Sequence, residues 1–412
     1  MRRLARWWRA LYASPVLLTA FAVVLGLVVG MFVIIFTTTP VLDAWRGFFN
    51  SWGSPGHAFK ATLDYVGAAY RSMFNGAVID PASLWNSLRT GQGWTQTLTP
   101  LSETLTYATP LTIASIGVGI TFQTGLFNIG ANGQAIIGGI IGVAVGSSLH
   151  LPTVVLIPLT LLAGVAGGVV TGAIPGLLKA FTGAHEVIVT LMFNYVANLL
   201  LIFALLSTPL QQPGQGNDIS RILRPGALLS PLFGATSGLR VNWGLFIAAA
   251  VVVLAWWFLE RSSLGFEFRV SGANPHAARV SGINPRKVTI VAFLISGGLA
   301  GLAGITQVAG TTHYIDGGFL VGSAGIGFTA ITVSLLGRNR PIGIMWGALL
   351  FAALGVGGRS MQATTGIPLD LATIIQYSIV LFIATPVLVE EIFRLRARGV
   401  GGLQLASQGW NT

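Results

Sequence analysis

The sequence predicts an all-α polytopic membrane protein with about ten transmembrane helices, and three observations predict it. Only 8% of the 412 residues are charged, where a soluble domain carries about 25%. Apolar residues make up 53% of the chain and the mean hydropathy is +0.75. Uncharged stretches such as Thr104–Leu178 and Val187–Asn217 hold one or several spans of about 20 residues each. A soluble enzyme, a secreted disulfide scaffold and a disordered chain are excluded together. Cysteine is absent, which removes disulfides, thiolate metal sites and a catalytic thiol.

The elements follow in order. Arg2, Arg3, Arg6 and Arg9 precede the apolar run Pro15–Phe36. That run exceeds the core of about 7–15 residues in a signal peptide, so a retained first span with a cytoplasmic N-terminus is expected. Residues 38–102 carry Trp45, Trp52, Trp85 and Trp94. They read as a long extracytoplasmic connection with helices in the membrane interface, where tryptophan concentrates. Nine further spans are expected at about 103–122, 133–149, 153–174, 186–207, 241–259, 288–309, 321–337, 341–358 and 371–389. The domains are then 1–102, a core over 103–390 with a cytoplasmic loop at 260–287, and a basic cytoplasmic tail over 391–412.

The net charge of +11 sits at span ends, where topology is written, and does not point to nucleic acid. With both termini inside, roughly two-thirds of the 23 basic residues fall on the cytoplasmic side. Spans 2–5 and 7–10 would run in opposite directions, as in two inverted five-helix repeats. A P-loop is excluded, because Lys60, Lys179 and Lys287 are followed by Ala, Ala and Val instead of Ser or Thr.

Two motifs carry function. Gly125-Leu-Phe-Asn-Ile-Gly-Ala-Asn-Gly-Gln134 places three amides and three glycines in the longest uncharged run. Backbone unwound there must face protein or a watery cavity. It reads either as a broken helix lining a path or as a cytoplasmic turn capped by Asn128. The loop 260–287 repeats Ser-Gly-x-Asn-Pro at Ser271–Pro275 and Ser281–Pro285. Asn is a strong N-cap and Pro suits the first helical position. Asn274-Pro275 should therefore start a short helix through Val280, and Asn284-Pro285 should start span 7. Gly272 and Gly282 are expected to need positive φ. Such a loop suits docking to a partner; the plainer reading is a surface turn whose charges only set topology.

Other residues have plainer readings. Glu186 opens a helix, where the dipole favours an acid. Asn194, two turns in, must be paired or face the path. Gly297, Ala300, Gly301 and Gly304 suit close helix packing. His313 and Asp316 belong to a short external turn. Phe127, Phe193, Tyr195, Phe328 and Trp346 could stack on a base, although core or lipid contact is the commoner use of such residues. No span centre holds a charge and no catalytic set lies within a span, so the chain is not expected to be an enzyme.

The run Gly125–Gln134, the segment Glu186–Tyr195, the Ser-Gly-x-Asn-Pro loop and Leu335–Gly343 resemble the permease subunits of bacterial ABC importers for simple sugars and nucleosides. The chain is most similar to the longer permease of nucleoside importers of the basic-membrane-protein type, over about residues 100–390. The resemblance implies a multi-pass protein of the bacterial inner membrane. Its implied partners are a second homologous permease, a cytoplasmic ATPase and an extracytoplasmic substrate-binding lipoprotein. The chain itself would bind no cofactor or metal, and ATP would serve the partner ATPase. Residues 265–287 would be the loop coupling to that ATPase, with Gly272, Asn274, Pro275, Ala277, Ala278, Arg279, Gly282 and Asn284 at its centre. Asn128, Gln134 and Asn194 are the expected polar residues of the substrate path. The family usually has Glu where Asn132 stands and Asn where His185 stands. The alternative is a secondary carrier for small polar solutes, with Gly125–Gln134 as an unwound cation site.

Overall fold

A computed structural model describes residues 15–51, 55–206, 210–214, 218–319, 325–385 and 392. The expected N-terminal basic segment and the tail over 391–412 lie outside these residues, apart from Ile392. The chain divides into two compact units, residues 1–85 with 353–412, and residues 86–352.

In the first unit, α1 (Pro15–Thr37) is followed after one residue by α2 (Thr39–Ser51), then α3 (Pro55–Ala77) and α4 (Pro81–Thr90). It also holds the second half of α14 (Pro341–Thr365) and α15 (Asp370–Ala384). Helices α1 and α15 approach closely because Gly26 and Gly30 leave room for Ile375 and Ile379. The described part of the connection over 38–80 is mostly helical, in α2 and α3. Trp45 Nε1 donates to Thr62 Oγ1 at 3.0 Å, and the Tyr65 hydroxyl donates to the Thr365 carbonyl at 3.0 Å. Asp80 caps α4, accepting from the Ala82 and Ser83 amides.

The second unit holds α5 (Trp94–Gln123), α6 (Ala131–Ser148), α7 (Thr153–Thr182) and α8 (Glu186–Leu206). These are followed by α9 (Gly244–Arg261), α10 (Ser263–Ala273), α11 (Pro275–Val280), α12 (Pro285–Gln307) and α13 (Ile326–Leu336). Helix α5 starts at Trp94, well before the expected boundary near residue 103. Glu103 does not end it, because the carboxylate pairs with Arg240 at 3.3 Å. Further along α5, Thr106, Thr109, Thr112 and Ser115 return their hydroxyls to carbonyls four residues back, at 2.6–2.9 Å. Their polarity is thereby satisfied within the helix, and α5 is buried on nearly every side.

Helix α12 lies against α5, α6 and α7. A Cβ on Gly168 would overlap the Gly297 carbonyl, and one on Gly301 would overlap the Gly164 carbonyl. The two backbones therefore touch, as the small-residue spacing predicts. Gly304 meets the Ala135 carbonyl of α6 in the same way.

Residues 210–214 and 218–243 fold as a cap on the opposite end from the 260–287 loop. Leu210, Leu223, Ala227 and Leu229 join a core with Ile305, Val308 and Ile315. Past Gln307 the helix widens into a π-turn, Val308–Thr312. The cap holds that turn: the Leu229 amide donates to the Ala309 carbonyl at 2.9 Å and Asn242 Nδ2 to the Gly310 carbonyl at 2.8 Å. His313 follows at φ 67°. Burial, and then the Arg240 guanidinium, hold its imidazole below the ordinary value of 6.5. The folded form therefore resists this protonation, and the cap should lose stability as pH falls through the ordinary histidine range. Limited proteolysis of residues 210–243 at pH 7.5 and pH 5.5 measures this, and His313→Gln should flatten the difference.

Among the described residues, seven helices are long and apolar enough to cross a membrane: α1, α5, α7, α8, α9, α12 with its π-turn, and α14. Helices α13 and α15 are apolar but shorter. The chain is an all-α polytopic membrane protein.

Candidate functional site

The unwound segment between α5 and α6 covers residues 124–130. Helix α5 ends with Gly125 in the left-handed region at φ 75°. The Leu126 amide turns back to the Thr121 carbonyl at 3.0 Å, closing the helix end.

Around this break the three predicted amides come together. Asn128 Nδ2 donates to Gln134 Oε1 and to Ser296 Oγ, both at 2.8 Å, and Asn128 Oδ1 accepts from the Gly130 amide at 3.0 Å. Asn194 of α8 bridges the break from outside. Its Oδ1 accepts from the Gly133 amide at 2.8 Å and its Nδ2 donates to the Ile129 carbonyl at 3.0 Å. Thr190, one turn earlier on α8, accepts from the Ile129 amide at 3.3 Å. The backbone groups freed by unwinding thus find partners inside protein. Asn128 and Gln134 are fully buried and Asn194 nearly so. In this conformation the carboxamides face one another and the break.

Asn132 sits under the start of α13, and its Oδ1 faces the Gly327 amide at 3.5 Å. Glu186 is buried and paired with Lys179 of α7 at 2.9 Å. The sequence reading placed the acid at a helix start but missed this partner, which lies across the α7–α8 turn. His185 is exposed in that turn. The five aromatics take different places. Phe127, Tyr195, Phe328 and Trp346 are exposed, Phe127 packs on Phe122, and Phe193 packs against the apolar core. A crevice lined by Val165, Val169, Leu294, Ile295, Gly298 and Leu299 is apolar throughout and offers a polar solute no partner.

The loop 260–287 is more helical than expected, because α10 precedes the predicted short helix. Ser262 caps α10, accepting from the Gly265 amide at 2.9 Å. Asn274 Oδ1 then accepts from the His276 and Ala277 amides at 3.0 and 3.1 Å, with Pro275 first in α11. Asn284 does the same for Arg286 and Lys287 ahead of α12. Gly282 has φ 82°, as the sequence predicts. Gly272 departs from its expected role. It lies within α10, and its constraint is closeness, since a Cβ there would overlap the Gln123 carbonyl. Ala278 is buried beneath α11, whereas Ala277 and Arg279 face outward. Val280, not singled out from the sequence, is 90% exposed at the tip. Its signal was an aliphatic residue at the end of a short polar helix.

Among the described residues, no group of three His, Asp or Glu side chains gathers as a metal site. The pattern that defines the family described as "Branched-chain amino acid transport system / permease component" matches residues 101–384. The chain belongs to this family. This permease is 35% identical to the guanosine ABC transporter permease protein NupP of Bacillus subtilis over 303 residues, 73% of this chain and 85% of that one. It is also 35% identical to the glucose ABC transporter permease protein TsgB13 of Haloferax volcanii over 361 residues, 85% and 90% of the two chains. The nucleoside ABC transporter permease protein NupB of Lactococcus lactis is 32% identical over 305 residues, 70% and 80%. No solved structure matches this permease. Permease subunits of this family are non-catalytic membrane channels, not enzymes.

Proposed function

We propose that this permease imports nucleosides, ahead of simple sugars, by alternating access as one half of an ABC importer in the cytoplasmic membrane. Its likeness to the guanosine and nucleoside permeases carries the nucleoside reading; the glucose relative keeps sugars second. The partners are a second homologous permease, an ATPase on the loop 260–287, and an extracytoplasmic substrate-binding lipoprotein. ATP acts on the ATPase alone.

Ten crossings complete the topology, with α6, α13 and α15 joining the seven long helices. The two inverted five-helix repeats are α1 with α5–α8 and α9 with α12–α15, and both termini are cytoplasmic. Residues 1–102 are the first span with its extracytoplasmic connection, 103–390 the core and 391–412 the basic cytoplasmic tail. Asn128, Gln134 and Asn194 meet the solute when their network opens during the cycle. Neutral amides suit an uncharged solute because they both donate and accept.

The deciding measurement is uptake of labelled guanosine and glucose in cells that carry the four genes. Guanosine uptake should vanish with the ATPase gene and survive collapse of the proton gradient. The reverse pattern would favour a secondary carrier. Reporter fusions at Arg398 and Gly216 should report opposite sides of the membrane; finding both on one side overturns the ten-span count. Cysteines at Ala277 or Val280 should cross-link to the ATPase, and one at the buried Ala278 should react far less. Failure at both exposed positions would leave the loop a topology signal only.

A further inference from the structure

We propose that Gln123 is a positioning residue that carries movement of the 260–287 loop to the turn between α13 and α14. The inference rests on reading that loop as the one the ATPase drives. Gln123 is the last residue of α5. Its carbonyl, an acceptor left over at a helix end, lies against Gly272 of α10 so closely that any Cβ there would overlap it. A Cβ on Gly125 would lie 3.6 Å from the Cα of the same glycine. The Gln123 side chain reaches the other way, and its Nε2 donates to the Asn339 carbonyl at 2.7 Å. One residue thus grips both connections, through its backbone on one side and its amide on the other.

The gripped turn is stiff. Arg338 and Asn339 both adopt left-handed backbone, φ 54° and 57°, a conformation that non-glycine residues hold only where their surroundings impose it. Ser334 imposes it twice: its Oγ donates to Asn339 Oδ1 at 2.9 Å and its carbonyl accepts the Asn339 amide at 2.9 Å. Gly337 and Gly343 close the base so tightly that a Cβ on either would overlap the other strand of the turn. Such a turn cannot absorb displacement by bending. It closes the C-terminal end of α13, whose opposite end, at Gly327, rests on Asn132 beside the buried amides. A push at Gly272 therefore reaches this turn through the Gln123 side-chain hydrogen bond, alongside the packing of α13 on α5.

The test uses the complete importer in proteoliposomes and measures solute moved and ATP hydrolysed together. Gln123→Leu keeps the size and removes the donor. Assembly and hydrolysis should persist, while solute moved per ATP falls about 3- to 30-fold, the range for loss of one coupling contact. Gln123→Lys, which restores a donor at a helix end that favours a cation, should recover most of the ratio. A wild-type ratio in Gln123→Leu, or a parallel fall of uptake and hydrolysis, overturns the proposal. If Gln123→Leu does not assemble, Gly272→Ala disturbs the same contact from the other side and must lower the ratio; an unchanged ratio there also overturns it. A wild-type importer that moves solute without the ATPase would instead sink the loop reading on which the inference stands.

Discussion

Gly168→Val is expected to remove most of the protein from the membrane fraction. Its Cβ would fall on the Gly297 carbonyl, and backbone cannot move aside as a side-chain tip can. Overpacking a core costs about 1–3 kcal/mol even where side chains yield; here α7 and α12 would have to part along their length. Each also packs on α6, so the damage spreads through the second unit. The control is Gly67→Ala in α3, where nothing lies within 4 Å of the added carbon. That change should be neutral or stabilising by up to ~1 kcal/mol, since alanine outranks glycine in a helix. Quantitative immunoblotting of membranes, with thermal melts of purified protein, separates the two. Equal abundance of Gly168→Val and wild type would show that the helices do not meet along this seam.

Asn194→Leu should nearly abolish transport while leaving a measurable amount of folded protein. Leucine fills the same space but strands the buried Gly133 amide and the partly buried Ile129 carbonyl. Each stranded buried group costs about 1–3 kcal/mol, and about 1.4 kcal/mol is a factor of ten. A 10-fold or greater loss of transport per molecule is the expected reading. Gln134→Leu should be milder, because the partner it abandons is the Asn128 side chain, which keeps its bonds to Ser296 and to the Gly130 amide. Uptake normalised to abundance orders the variants. The inverse order, or cysteines at all three positions that never react with small polar thiol reagents in any state, would confine these amides to packing.

Much of this was legible in the chain itself, and the parts that were not share a cause. The spans follow from uncharged runs, since hydrocarbon excludes charge whatever the fold. The caps at Asn274 and Asn284 are legible because a cap and its amides lie within three residues. The seam of glycines is legible because spacing alone puts Gly297 and Gly301 on one face. What escaped depends on distant partners. The early start of α5 requires Glu103 to find Arg240, and the burial of Asn128 requires Ser296. Gly272 was misassigned because only the fold brings Gln123 to it. The amides were recognised as important, yet their facing one another could not be read from a segment that lacks its neighbours.

The contact between α7 and α12 also restricts how the protein can move. Sliding of packed helices needs side chains that can re-seat, with the motion absorbed in many small rotamer adjustments. Here bare peptide meets bare peptide at Gly164, Gly168, Gly297 and Gly301. An axial slip of one residue, about 1.5 Å, would carry Cβ atoms of neighbouring residues onto carbonyls. Shear is thus closed to this pair, which must travel as one rigid block. Any opening of the second unit has to be kinematically a hinge, with its freedom at the unwound residues 124–130 and at the π-turn.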